Sequence, residues 1–185
     1  MRSLLGFIVL VLVVGCQNSK GVSTIEREEY LKMGDSISNH IQSVLLTNVT
    51  QKIQQESIVG AVAFCSEKAI MLTDSVAAKY NVKASRLTDK NRNPNNGLQS
   101  ATDRKAWEEF QLNTEKNQLI YQERGLVVYY KAIPLGMAAC LKCHGDKKTD
   151  ISVETLQSIQ MNYPQDLATG YAVGDLRGMW KIELN

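Results

Sequence analysis

Five residues near the C-terminal end constrain this chain more than any other feature: Cys140-Leu141-Lys142-Cys143-His144. Two thiols at this spacing can add across the two vinyl groups of haem as thioethers, and the histidine that follows is near enough to ligate the iron. Two rival readings use the same residues. A zinc site wants a fourth ligand and commonly a second closely spaced pair, and only His40 and Cys65 remain, both distant in sequence. A thioredoxin-like disulfide opens a helix after a strand in a βαβ setting, which the surrounding sequence lacks. The motif is therefore read as the attachment site of one covalent haem c.

Covalent haem attachment takes place outside the cytoplasm, and the N-terminus reads as an export signal. Met1-Arg2 is a short positive start, and the apolar run from Leu4 to Val14 is too short for a permanent membrane helix. It ends in Val13-Val14-Gly15-Cys16, which resembles a bacterial lipoprotein signal. That resemblance implies cleavage before Cys16 and lipidation of its thiol. Gln17 in place of Asp implies no retention at the inner membrane, hence an anchor in the outer membrane facing the periplasm. The expected layout is a signal over residues 1–15, a lipidated tether over 16–22 and one domain over 23–185. No other run approaches a transmembrane length; Leu126-Val127-Val128-Tyr129-Tyr130 is strand-sized.

The 185 residues are 44% hydrophobic and 22% charged, with a net charge of +2. This is ordinary globular composition and excludes a disordered tail or a strongly basic nucleic-acid binder, so no nucleic acid is expected as a partner. Ser23-Thr24-Ile25-Glu26 is a capping box opening a long helical pattern through Tyr30, Met33, Ile37, Ile41, Leu45 and Val49. A small apolar segment, residues 57–64, reaches Cys65, and a further helix is predicted over 67–80. Strands are expected over 83–88, 118–122, 126–133 and 176–184. A turn-rich loop spans Asn91 to Gly97, and the Glu123-Arg124-Gly125 break suits a hairpin. A helix carrying Trp107 and Phe110, capped by Thr102 or Asp103, and another over 150–161 complete the pattern. Grouped strands with helices before them predict an α+β domain with an antiparallel sheet.

What faces His144 across the iron is open from the residues alone. Methionine is a common partner, but Met137 is too close to the motif, and Met33 and Met71 sit on helical apolar faces where core is the default. His40 lies beside the stripe of the first helix and is within reach of a haem. Cys65 is the thiol left after Cys16, Cys140 and Cys143 are assigned; a buried inert thiol is the simplest alternative role. Trp107 and Trp180 read as core. Gly170, Gly174 and Gly178 read as turn residues.

A family resemblance narrows this. Ala61-Val62-Ala63-Phe64-Cys65-Ser66, Arg92-Asn93-Pro94-Asn95-Asn96, Ala106-Trp107-Glu108, Cys140 to Asp146, and Tyr163-Pro164 through Gly178 resemble the Tll0287-like haem family, also called DUF3365. The resemblance covers Ser23 to Leu184. It implies a PAS-like fold and a c-type haem held by the motif histidine and by a cysteine, here His144 and Cys65. It also places the loop flanked by Arg86 and Arg92 near the haem, where propionates want cations. In two places the chain departs from the pattern: Ala63 stands where the family usually has Glu, and the loop between Asn96 and Trp107 is longer than usual.

Thiolate ligation favours ferric iron, so a low potential is expected. On reduction the thiolate can protonate and leave, opening a site for CO or NO. The expected function is a redox- or gas-responsive sensor module acting through a separate protein partner. The alternative is a periplasmic electron-transfer cytochrome c. A peroxidase-type enzyme is disfavoured, because a distal cysteine leaves neither an open iron nor an acid-base residue.

Overall fold

The computed structural model describes residues 23–113, 116, 118–123 and 125–184. The signal and tether with Cys16, and Arg124 of the expected hairpin turn, lie outside the described residues. Helix α1 spans Thr24–Ala78, and Ser23 caps it through the capping box read from the sequence. Ser57, at φ 74° and ψ 177°, breaks it in two. His40 Nδ1 lies 2.7 Å from the Tyr80 hydroxyl. In a straight helix those residues would be about 60 Å apart. The chain therefore doubles back at Ser57 into two helical arms, and Lys52 over the Phe64 ring marks the same fold-back near the tip.

The strands are β1 Lys83–Leu87, β2 Gln118–Glu123, β3 Leu126–Pro134 and β4 Leu176–Leu184. They form one antiparallel sheet in the order β1-β4-β3-β2. Successive side chains point to opposite faces, and the two faces bury different partners. Ile120, Val127, Tyr129, Trp180, Ile182 and Leu184 pack against both arms of α1 through Ile37, Ile41, Leu45, Ala69 and Val76. Gly34 is where the first arm crosses the sheet, since any Cβ there would run into the Tyr129 ring. On the other face Leu119, Val128, Tyr130 and Met179 pack against Trp107 and Phe110 of helix α2, Ala101–Leu112. The sheet is thus a middle layer between helices, an α+β architecture. No helix among the described residues is long and apolar enough to cross a membrane.

Several local expectations change. The cap of α2 is Ser100, with Asp103 as its reciprocal partner three residues on, rather than Thr102 or Asp103. Residues 57–64 are the start of the second arm and not a separate segment. Met33 and Met71 are 46% and 61% exposed, so they are not core: the fold-back lets each arm bury only the narrow stripe that meets the sheet. Gly170 and Gly174 have positive φ as turn residues do, but Gly178 lies within β4, where a Cβ would approach the Leu87 carbonyl at 3.1 Å.

Candidate functional site

The C-x-x-C-H motif is a tight helical corner. A 3₁₀ turn, Ala138–Cys140, runs directly into α3, Leu141–His144. In a helical turn residues three apart share a face, so Cys140 and Cys143 present their thiols together; both are half-buried and free. Gly145 ends the turn, and it must be glycine because a Cβ would strike the Asp150 carboxylate at 2.5 Å. Asp150 is held there by accepting from the Asp146 N–H. Beyond it runs α4, Val153–Asn162.

The segment 166–171 folds back over this corner. Gly170 N–H donates to the Gly145 carbonyl at 2.8 Å, and Tyr171 N–H to the His144 carbonyl at 3.0 Å. The Ala168 carbonyl lies 2.8 Å from His144 Nδ1, so Nδ1–H donates to it. That fixes the tautomer and leaves Nε2 as the bare, ligating nitrogen. Arg177 Nε is 3.3 Å from the same Nδ1; since that nitrogen carries the proton, Arg177 acts there as a neighbouring charge. Burial, with Arg177, Arg92 and Arg86, holds the imidazole pKa well below its ordinary value. The ring is neutral at physiological pH, as a metal ligand must be.

Arg92 braces the corner. Its Nε donates to Asp166 Oδ1 at 3.0 Å and its Nη2 to Oδ2 at 3.3 Å, a two-point clamp with both side chains nearly buried. The same Nη2 donates to the Cys143 carbonyl at 2.6 Å and lies 3.3 Å from the Ala168 carbonyl. One guanidinium therefore ties together the loop after β1, the motif and the segment that holds His144.

Cys65 approaches from the second arm of α1. That arm packs on α4 through Val62, Ile159 and Tyr163, with Cys143 against the same cluster. Ser66 Oγ donates to Asn162 Oδ1 at 3.1 Å and Ser158 Oγ to the Val59 carbonyl at 3.3 Å, which fixes the arm's rotation. Burial pushes the Cys65 thiol pKa up, and Arg86 and Arg92 oppose it. Cys143 responds in the same way, with Cys65 among the groups acting on it. A cavity of about 270 Å³ opens beside this point, lined by Ser66, Arg92, Asn93, Asn162 and Tyr163 among others.

The structure thus brings Cys65, Arg86, Arg92, Cys140, Cys143 and His144 to one end of the sheet. His40 is elsewhere, bonded to Tyr80 across the fold-back. Among the described residues no three His, Cys, Asp or Glu side chains gather as a cage for a metal ion, which leaves the zinc alternative without a ligand set. The donors fit haem instead: a thiol pair on one helical face, a neutral imidazole with Nε2 bare, and a third thiol, Cys65, close enough to act on Cys143. Sequence reasoning missed Arg177, Asp166, Ala168 and Tyr171. The Tyr171 hydroxyl is buried between Thr88 and Arg177, and its ring stands edge-on to His144 at 6.4 Å. The glycine-rich tail that contains Tyr171 and Arg177 drew notice only as part of a family pattern.

The family model for Tll0287-like proteins matches residues 23–185. The chain belongs to the Tll0287-like family. Its structure is similar to the crystal structure of the cyanobacterial heme-protein Tll0287, with a TM-score of 0.66 and 25% sequence identity over 84% of this chain and 94% of that one. No curated protein matches the chain. The matched span of this Tll0287-like chain includes every residue of the site just described, from Cys65 to Arg177.

Proposed function

We propose that this chain is an exported, lipid-anchored monohaem protein whose thiol ligand is released on reduction. Cys140 and Cys143 carry the haem as thioethers, each S–H adding across one vinyl group. His144 Nε2 and the Cys65 sulfur would be the two protein groups that hold the iron. The observation that carries this reading is the commitment of His144 Nδ1–H to the Ala168 carbonyl, with Cys65 brought to the same corner from α1. The likeness to a heme-protein and the family membership support it. The antiparallel sheet with helices over its faces supports the PAS-like architecture that the resemblance implies.

Haem bound there supplies a one-electron couple and a coordination position that a diatomic gas can take. The rest follows from the side chains. Burial raises the Cys65 pKa, and Arg86 and Arg92 do not fully offset it, so the protein by itself keeps this residue a thiol. It is a thiolate, and a strong ligand, only while a further positive charge faces it. Arg92, spent on Asp166 and two carbonyls, holds the motif in place rather than contacting haem carboxylates. The chain's own output is a change in ligation, to be read by a separate protein partner at the periplasmic face of the outer membrane, where the Cys16 lipid holds it.

Replacing Cys65 by Ser tests the assignment. The ferric protein is expected to lose its low-spin EPR signature and its thiolate-dependent visible bands. An unchanged spectrum removes Cys65 from the iron. In the wild type, CO binding after reduction is the expected result. Reversible reduction with both ligands kept and no CO binding replaces the sensor with an electron carrier.

A further inference from the structure

Three arginines converge on the site, and two of them have polar partners among the described residues: Arg92 has Asp166, and Arg177 reaches the Tyr171 hydroxyl as well as its ring. Arg86 differs. Its guanidinium lies over the Trp180 ring, 5.9 Å from the centroid, across the β1–β4 pairing. No described residue accepts a hydrogen bond from it or pairs with it as a carboxylate. A guanidinium has five N–H donors, and stacking on an indole uses none of them. A half-buried cation in this condition has lost water without gaining an acceptor, which is costly unless something else supplies one.

The space for that acceptor is present. A cavity of about 220 Å³ lies between α1 and the loop that follows β1, with Arg86 in its wall. Asn95 and Asn96 add amide groups to the wall; the Thr73 hydroxyl donates to the Ala69 carbonyl, Ser85 points to the other face of β1, and Asp74 stands on the exposed rim. The volume admits an anion of a few heavy atoms. Planar carboxylate matches the fork of a guanidinium at two points, which favours it over a spherical ion.

We infer that Arg86 and this cavity form a carboxylate-binding site. The carboxylate has two possible sources, a haem propionate or a free small acid from solution. The first rests on the haem reading proposed above, and the second does not.

The test uses the intact exported protein and sodium acetate as the probe. Isothermal titration is run on the wild type, Arg86→Gln, Arg86→Lys and Asn96→Ala, with far-UV circular dichroism to verify folding. Resonance Raman spectra of the same proteins report the propionate bending mode. If the source is free acid, acetate binds the wild type and Arg86→Gln weakens it by about tenfold or more, the loss expected for a charge-assisted fork. Arg86→Lys and Asn96→Ala lose less. If the source is a propionate, acetate does not bind and Arg86→Gln shifts the propionate mode. The inference is overturned if acetate shows no Arg86-dependent binding and the mode is unmoved. Should Arg86→Gln fail to fold, Arg86→Lys and Asn96→Ala decide by the same two readouts. A protein that carries no haem, seen as a missing Soret band, refutes the haem reading alone; acetate titration then decides the site by itself.

Discussion

Replacing Arg92 by Met removes the brace of the site and leaves a carboxylate stranded. Asp166 accepts two bonds from Arg92 and one from the Ala168 N–H at 3.0 Å. With its side chain only 8% exposed, it cannot recover the lost bonds from bulk water. Breaking one side of a buried pair costs about 3–5 kcal/mol, against about 0–1 for an exposed one. The Cys143 and Ala168 carbonyls lose donors too, so the upper half of that range is expected. For a domain of this size 4 kcal/mol corresponds to a Tm lower by about 10 °C. Urea denaturation of Arg92→Met, Asp166→Leu and the double variant measures it as a cycle. The double variant is expected to be more stable than the sum of the singles implies, with a coupling of about 2 kcal/mol or more. Arg92→Lys does not rescue, because an ammonium cannot span two carboxylate oxygens and a carbonyl at once. A cost below about 1 kcal/mol for Arg92→Met would show that the guanidinium is in water and that the corner is held by something else.

Two further outcomes follow from the fold. Ser57 occupies backbone space that glycine alone enters freely, at a cost of roughly 1–3 kcal/mol. Ser57→Gly is therefore expected to raise stability by about 1 kcal/mol in urea denaturation; a loss would mean that the serine side chain, not the backbone, sets the fold-back. For Asp103, burial raises the pKa, but the Tyr130 hydroxyl, the Ser100 N–H and Lys181 together outweigh it and leave it lowered. A carboxylate lowered on folding stabilises above its unfolded pKa of about 4 and loses that contribution as pH falls through the folded value. Asp103→Asn is thus expected to be less stable at neutral pH and to flatten the acid limb of a stability–pH curve; an unchanged limb assigns acid unfolding to other carboxylates.

The parts of the site that were legible are those whose chemistry is local. The C-x-x-C-H motif states its purpose within five residues, and the Ser23 capping box and strands β1 to β4 announce themselves through short-range pattern. Cys65 had no local mark and came from the family resemblance. The remaining contacts join residues far apart in sequence: Arg92 with Asp166, and His144 with the Ala168 carbonyl. Nothing in the vicinity of Arg92 distinguishes a buried clamp from a propionate ligand or a solvated side chain. The fold-back was hidden for a related reason. Ser57 is not a residue that signals a left-handed backbone, so the two arms read as separate helices with an unexplained apolar segment between them. The exposed Met33 and Met71 follow from it, since apolar periodicity names a candidate face but not how much of it a partner covers.

The charges around the corner are unequal, and this bears on the expected potential. Arg86, Arg92 and Arg177 all act on His144, while Asp166 is the carboxylate set against them. A thiolate on iron lowers the potential by donating charge. Three guanidiniums in a poorly solvated site work in the opposite sense, because each favours the state with less positive charge on the metal. The low potential expected from Cys65 alone is therefore too simple a reading of this protein. The same cations stabilise the Cys65 thiolate and favour reduction, two tendencies that conflict while the sulfur stays bound. Under the proposed ligation, release of Cys65 as a thiol, with a proton taken up from water as the electron arrives, would resolve the conflict, since the site gives up one negative charge as the iron gives up one positive charge.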